Sequence, residues 1–224
     1  MSMLCCVEEK FVEILLEWWR QNKNEFPWRF TNDPYAVLIA ELLLRKTTAQ
    51  QVNKIYNMFL LIFPNPESLA TADIRQLEEI LTPLGIQHKR AVLLKEFGIK
   101  VCERYCGQIP REVEKLLELP GVGRYAANAV LSLVYQEDVP LLDTNFIRVI
   151  HRVFGIISQK ARARDDEKIW GFAQNLIPQG NSRNFNLAVL DFAMMVCKAK
   201  KPRCSTCVLG KVCLYFNNST ARFS

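Results

Sequence analysis

The sequence predicts an all-α fold, and three observations over its 224 residues carry that expectation. Apolar residues recur at three- and four-residue spacing through most of the chain. Cap and turn signals punctuate these runs. No convincing pair of alternating strands and no solenoid-length repeat is present. Half of the residues are hydrophobic, enough for one large core or two small ones.

Residues 7–22 read as a helix with Trp18 and Trp19 near its end. Asp33-Pro34 is a start signal, with Asp as cap and Pro in the first turn. The helix after it, to Arg45, is apolar on nearly all sides, which predicts burial. Thr48 to Gln51 has capping-box spacing and opens a helix through Phe59. Further helices are expected over 73–81, 89–105, 111–119, 123–135, 144–154, 167–177 and 185–196. Residues 158–166 read as a polar surface loop, and 217–224 as a frayed tail.

The formal charge of +6 and a pI near 8.9 are compatible with a polyanionic partner. The apolar runs are too short or too interrupted for a membrane span, Glu41 breaking the longest. Glu8 and Glu9 argue against a secretory signal. Cys5, Cys6, Cys102 and Cys106 form no disulfide framework, so a reducing, cytoplasmic setting is expected.

Cys197, Cys204, Cys207 and Cys213 follow the spacing C-x6-C-x2-C-x5-C. Four thiolates this close converge on one soft metal centre. A zinc site usually shows two tight pairs, whereas here one pair carries a wider arm on each side, which favours [4Fe–4S] over zinc. Lys198, Lys200, Lys201 and Arg203 in this loop are candidates to meet phosphate, or form an ordinary solvated face.

Leu119-Pro120-Gly121-Val122-Gly123-Arg124 lies between two helical segments. Its glycines permit a tight turn, Val122 can plug that turn into the core, and the next helix presents amides and a dipole that favour an anion. The pattern is a helix-hairpin-helix, which grips a DNA backbone without reading bases, although short glycine turns also serve as plain connectors. Asp143 stands before an apolar-faced helix as a natural N-cap, where amides and the dipole favour its charged form. It is either a plain cap or a carboxylate that steadies a developing cation. Glu41, inside the apolar helix, is either a carboxyl with a raised pKa able to act as a general acid or the partner of Arg45 one turn along.

Together and in this order, the hairpin, the Leu142-Asp143-Thr144-Asn145 segment and the cysteine loop resemble the helix-hairpin-helix DNA glycosylases similar to endonuclease III, over residues 26–215. The resemblance implies a six-helix barrel domain, 30–137, and a helical [4Fe–4S] cluster domain from 1–29 and 138–224. It places the catalytic aspartate at Asp143. The endonuclease III-like members carry a lysine where this chain has Tyr125, and a phenol forms no Schiff base, so a monofunctional enzyme without strong lyase activity is implied.

Two branches lack that lysine. Mismatch adenine glycosylases share Asp33-Pro34-Tyr35, Glu41 and Phe185-Asn186, but this chain has Leu187 where they carry glutamine and Ala49 where they carry valine. The closer resemblance is to archaeal-type mismatch thymine glycosylases, through residues 42–49 and Phe185-Asn186-Leu187. It implies excision of thymine or uracil opposite guanine from double-stranded DNA by a monomer, with excision of adenine opposite guanine or 8-oxoguanine as the alternative. A non-catalytic iron–sulfur DNA-binding module is the alternative of another class. On this reading Asp143, Glu41 and Tyr125 are catalytic. Gly121, Val122, Gly123 and Arg124 hold phosphate, Arg45 and Thr47 face DNA, and Ala49 and Leu187 shape the base pocket.

Overall fold

The computed structural model describes residues 3–220, with side chains over 7–218. The described residues form twelve α-helices joined by loops and short 3-10 turns, with no strand. The chain divides into two compact units, one of Glu25–Tyr135 and one of Met1–Asn24 with Gln136–Ser224. No described helix is long and apolar enough to cross a membrane.

The Glu25–Tyr135 unit carries α2 (Pro34–Leu44), α3 (Ala49–Ile62), α4 (Pro66–Ala70), α5 (Ile74–Leu81), α6 (Gln87–Tyr105), α7 (Val113–Leu117) and α8 (Arg124–Leu133). The start of α2 is as the sequence predicts: the Tyr35 amide donates to Asp33 Oδ1 at 2.9 Å and Pro34 occupies the first turn. Eight of its eleven residues are buried, so α2 is the central helix of the unit. The Thr48 capping box at α3 forms in both directions.

Helix α4 is absent from the sequence expectations. Its signal is local, since Asn65 Oδ1 accepts the Ser68 amide and Ser68 Oγ accepts the Asn65 amide, with Pro66 in the first turn. Helix α6 holds it closely. A Cβ on Gly98 would lie 2.7 Å from Pro66 O, Ala70 N and Leu69 Cβ, so only glycine lets these backbones meet. Helix α7 spans five residues rather than the expected 111–119. Pro120 disfavours helical dihedrals at Leu119, whose amide closes a tight turn onto Leu116 O at 3.1 Å.

The second unit carries α1 (Met3–Asn22), α9 (Thr144–Phe154), α10 (Glu167–Asn175), α11 (Ser182–Met195) and α12 (Leu214–Thr220). Phe11 of α1 meets Phe154 of α9 and Phe185 of α11 edge-to-face, at centroid distances of 5.0 and 6.1 Å. Asp191, fully buried on α11, accepts from Trp19 Nε1 at 2.8 Å and from the Asn24 amide and side chain at 3.0 and 2.6 Å. A buried carboxylate with this many donors is satisfied and pins α1 to α11. Residues 158–166 form the expected loop, with one 3-10 turn. The expected tail needs correction: α12 continues through Thr220, while residues 221–224 lie outside the described set. Cys213 O accepts the Asn217 amide at 3.1 Å, which anchors α12 to the cysteine loop.

Candidate active site and thiol cavity

The hairpin turn is built as its spacing predicts, with one difference. Gly121 has φ +80°, and a Cβ there would meet Arg45 Nη1 and Leu42 Cδ2 at 2.8 Å. Val122 is buried, and its amide donates to Leu119 O at 3.0 Å. Gly123, by contrast, is extended, with φ −105° and ψ 179°, and a Cβ there would meet nothing within 4 Å. No strain and no internal contact requires glycine at 123. As the N-cap residue of α8 it supplies no side-chain cap. Arg124 is exposed and Tyr125 half-buried in the first turn. Ala126, Ala127 and Ala129 are buried, and α8 packs against α2.

Helix α2 presents Glu41, half-buried, and ends at Arg45, whose Nη1 lies 3.5 Å from Gly121 O. The turn between α2 and α3 is therefore beside the hairpin. Thr47 donates its hydroxyl to Gln51 Oε1 at 3.0 Å, and Ala49, half-buried, opens α3. Arg90 fixes this turn from a distance in the chain: Nη1 donates to Leu42 O and Leu43 O at 3.2 and 3.0 Å, Nη2 to Arg45 O, and Nε to Gly85 O at 3.0 Å. These include carbonyls left open at the C-terminus of α2.

Asp143 lies in the other unit, with Leu187 and the four cysteines. It caps α9 as expected: Oδ1 accepts the Asn145 and Phe146 amides, both at 2.8 Å. Oδ2 accepts Asn145 Nδ2 at 2.6 Å, and Asn145 Oδ1 in turn accepts Arg148 Nη1 at 3.0 Å. The amides favour the charged form as expected, but a second effect opposes them. Burial raises its pKa above the ordinary value and outweighs the lowering by the amides, Asn145 and Arg148. The carboxylate is thus half-buried and held by donors. The approach to it is fixed by Asn186, buried on α11: its Oδ1 accepts the Leu141 amide at 2.9 Å and its Nδ2 donates to Val139 O at 2.8 Å. Leu187, the next residue, is buried.

All four cysteines of the C-x6-C-x2-C-x5-C loop line one partly open pocket, with Arg152, Phe192, Leu209 and Phe216 among its walls. Arg152 Nη1 lies 3.4 Å from Cys197 Sγ and donates to Lys198 O at 2.7 Å. Arg148 donates through Nε to Cys197 O at 2.8 Å. Burial pushes the Cys207 thiol up to about 11 and raises Cys213 as well, with the neighbouring sulfurs adding to both. Among the described residues no group of three or more His, Cys, Asp or Glu side chains is placed to hold a metal ion.

Residues 39–174 match the family model for the HhH-GPD superfamily base excision DNA repair protein. The chain belongs to the HhH-GPD superfamily. Among its relatives, a thymine/uracil-DNA glycosylase of Pyrobaculum aerophilum is 46% identical over 211 residues, covering 92% of each chain. A thymine-DNA glycosylase of Aeropyrum pernix is 45% identical over 207 residues, covering 91% of this chain and 93% of that one. The solved structure of a thermostable thymine-DNA glycosylase superposes with a TM-score of 0.92 at 35% identity, covering 97% of this chain and 100% of that one. Adenine DNA glycosylases are more distant. The all-α glycosylase fold expected from the sequence is therefore the fold of this HhH-GPD protein.

Several residues of this superfamily member carry the site without having stood out in the sequence. Asn145 lies inside the segment that marks the resemblance, yet only coordinates show its amide on Asp143. Arg148 and Arg152 are spaced one turn apart on an otherwise apolar-faced helix, a pattern that signals partners for their charge. Arg90 sits among other basic residues after Gln87, and nothing local separates it from them.

Proposed function

We propose that the chain is a monofunctional base excision repair glycosylase that hydrolyses the N-glycosidic bond of thymine or uracil opposite guanine. The observation that carries this reading is the Asp143 carboxylate, kept ordered by three donated hydrogen bonds at the start of α9. An anion in a half-buried setting stabilises a sugar cation more strongly than one in water. Asp143 therefore steadies the oxocarbenium-like sugar and orients the attacking water. By the resemblance alone, Glu41 is assigned to the departing base, and Tyr125, Ala49 and Leu187 to its recognition. With a phenol at 125, no amine is available there for a Schiff base, so the abasic strand is left intact.

DNA is held at its backbone by the hairpin. Gly123 has neither strain nor packing to explain it, which fits a position where a phosphate approaches the main chain closely. Arg45 at the neighbouring turn contacts the mispaired guanine or the gap left behind. A G·T wobble is weakly paired, so turning its thymine out costs less than for a matched base, against a penalty on the order of a few kcal/mol. A basic chain that meets phosphates through residues 198–203 also binds less tightly as salt rises.

The thiol cavity fits a [4Fe–4S] cluster held by Cys197, Cys204, Cys207 and Cys213. Tetrahedral zinc draws four sulfurs to within about 4 Å of one another. What supports a cubane is the C-x6-C-x2-C-x5-C spacing, one tight pair with a wider arm on each side, together with all four cysteines lining one pocket. The cluster supplies a structural cross-link for the loop and α12, and no bond chemistry at the sugar.

The test is a duplex panel with T or U opposite guanine and A opposite guanine or 8-oxoguanine, each read with and without alkaline cleavage. Alkali-dependent cleavage at T and U supports the reading. Cleavage at A alone transfers the protein to the adenine branch, and cleavage nowhere removes the enzyme assignment.

A further inference from the structure

Three exposed non-glycine residues of the Glu25–Tyr135 unit have left-handed backbone, Lys46, Ile86 and Cys106, and the turns of the first two are joined to each other. Lys46, between α2 and α3, has φ +57°, and Ile86, before α6, has φ +49°. Left-handed dihedrals suit glycine, and a β-branched residue adopting them is an outlier that the surroundings must hold in place. Ile86 is also 49% exposed, so burial in a core does not explain it. Lys46 is exposed too.

Each turn has backbone hydrogen bonds of its own, Thr47 N–H to Leu44 O and Gly85 N–H to Thr82 O, and one side chain joins the two turns to each other. Arg90 is only 4% exposed. Its Nη2 takes the carbonyl of Arg45, the residue before Lys46, and its Nε takes the carbonyl of Gly85, the residue before Ile86, at 3.0 Å. Nη1 takes Leu42 O and Leu43 O. A planar guanidinium carries donors in a fixed fork, so these carbonyls are held in one frame. A lysine ammonium has three donors on a flexible stem and cannot reproduce the fork. Capping α2 alone would need only the carbonyls of that helix. The Gly85 contact brings in a second turn, and with it a second strained residue.

We propose that Arg90 is a positioning residue for base extrusion, locking the 45–47 turn and the 84–86 turn into one rigid edge that acts on DNA as a unit. The inference rests on the glycosylase reading above. The edge carries Arg45 and Lys46 from one turn and apolar Ile86 from the other. The edge resists the recoil of the base stack only while both turns are fixed to each other. Loosening it therefore slows the step that separates the pair and leaves the chemistry at the sugar unchanged.

This predicts a defect that depends on how firmly the target is stacked. Single-turnover release of uracil from U·G would be measured with A·T neighbours and with G·C neighbours, using the natural protein, Arg90→Lys and Arg90→Gln. Both variants are expected to lose activity by about tenfold or more with G·C neighbours and by several-fold less with A·T neighbours. Amide hydrogen exchange in Arg90→Lys, the milder variant, is expected to rise in both turns together. An equal loss in both contexts, or faster exchange in one turn only, would overturn the inference, since general damage to the fold does not distinguish flanking pairs. If the natural protein releases no uracil in either context, the glycosylase reading itself fails and takes the inference with it.

Discussion

Asn145 Nδ2 donates to Asp143 Oδ2 at 2.6 Å while Asn145 Oδ1 accepts Arg148 Nη1 at 3.0 Å, so the amide stands between a carboxylate and a guanidinium. Its orientation is fixed from both ends. Because the donated bond favours the ionised carboxylate, Asn145 works against the burial that raises the Asp143 pKa. Replacing Asn145 by Leu removes that help. The acid limb of the excision rate moves to higher pH, and the rate at neutral pH falls about 10- to 100-fold, the range for a hydrogen bond to a charged group. A pH series under single-turnover conditions reads both effects; an unchanged acid limb separates Asn145 from the carboxylate.

Stability should move against activity at Asp143. Its native pKa lies above the unfolded value, so the native state holds the proton more tightly. Folding is then favoured at acid pH, and that advantage is lost as pH rises from the unfolded value through the native one. Asparagine caps a helix about as well as aspartate and carries no charge. Asp143→Asn should therefore melt higher than the natural protein near neutral pH, with the gap closing towards acid. Thermal unfolding at several pH values checks the sign.

The two hairpin glycines should behave differently. Gly121→Ala forces a side chain into a left-handed backbone and against Leu42 and Arg45, and should destabilise the fold by about 1–3 kcal/mol. Gly123→Ala meets open space and an ordinary dihedral, so melting should be unchanged while affinity for duplex DNA falls. Melting curves and salt-controlled binding isotherms separate the two. Loss of stability at 123 with unchanged binding would mean that the turn is only a connector.

On the proposed reading, the residue at position 125 sets the fate of the abasic strand after base release. Borohydride added during turnover should trap no covalent complex with the natural protein, whereas Tyr125→Lys should yield a trapped adduct with uracil-containing duplex. Gel mobility reads the outcome, and an adduct with the natural protein would place an amine elsewhere in the site.

The cysteine loop makes a spectroscopic prediction. Purified protein should be brown and contain iron and sulfide in equal amounts, and oxidative loss of iron should lower the melting temperature. Arg148 and Arg152 connect α9 to Cys197 O, Cys197 Sγ and Lys198 O, so loosening the loop also loosens the helix that Asp143 caps. Stoichiometric zinc without iron would replace the cluster.

Much of the fold was legible because its signals are local. Asp33-Pro34, the Thr48 to Gln51 box, Asp143 before an apolar face and the Leu119 to Arg124 turn each declare a helix end within a few residues, and each forms as expected. The misses have separate causes. Helix α4 is five residues long, too short for periodicity to register. The shortening of α7 is set by Pro120 downstream, and the start of α6 at Gln87 by left-handed Ile86, which only Arg90 explains. At the site, residue types that carry chemistry could be nominated from spacing, but the direction of the Asp143 pKa could not. Capping is written in the sequence, whereas burial is a property of the packed surroundings, and burial prevails.

Single-turnover release of free thymine from a G·T duplex at neutral pH, natural protein beside Asp143→Asn, bears most directly on the proposed function. The natural protein should release thymine and leave a strand that breaks only with alkali. The variant should bind the same duplex and release thymine at least about a thousandfold more slowly, as for loss of a preorganised electrostatic stabiliser. Release at the natural rate by the variant would remove Asp143 from the chemistry.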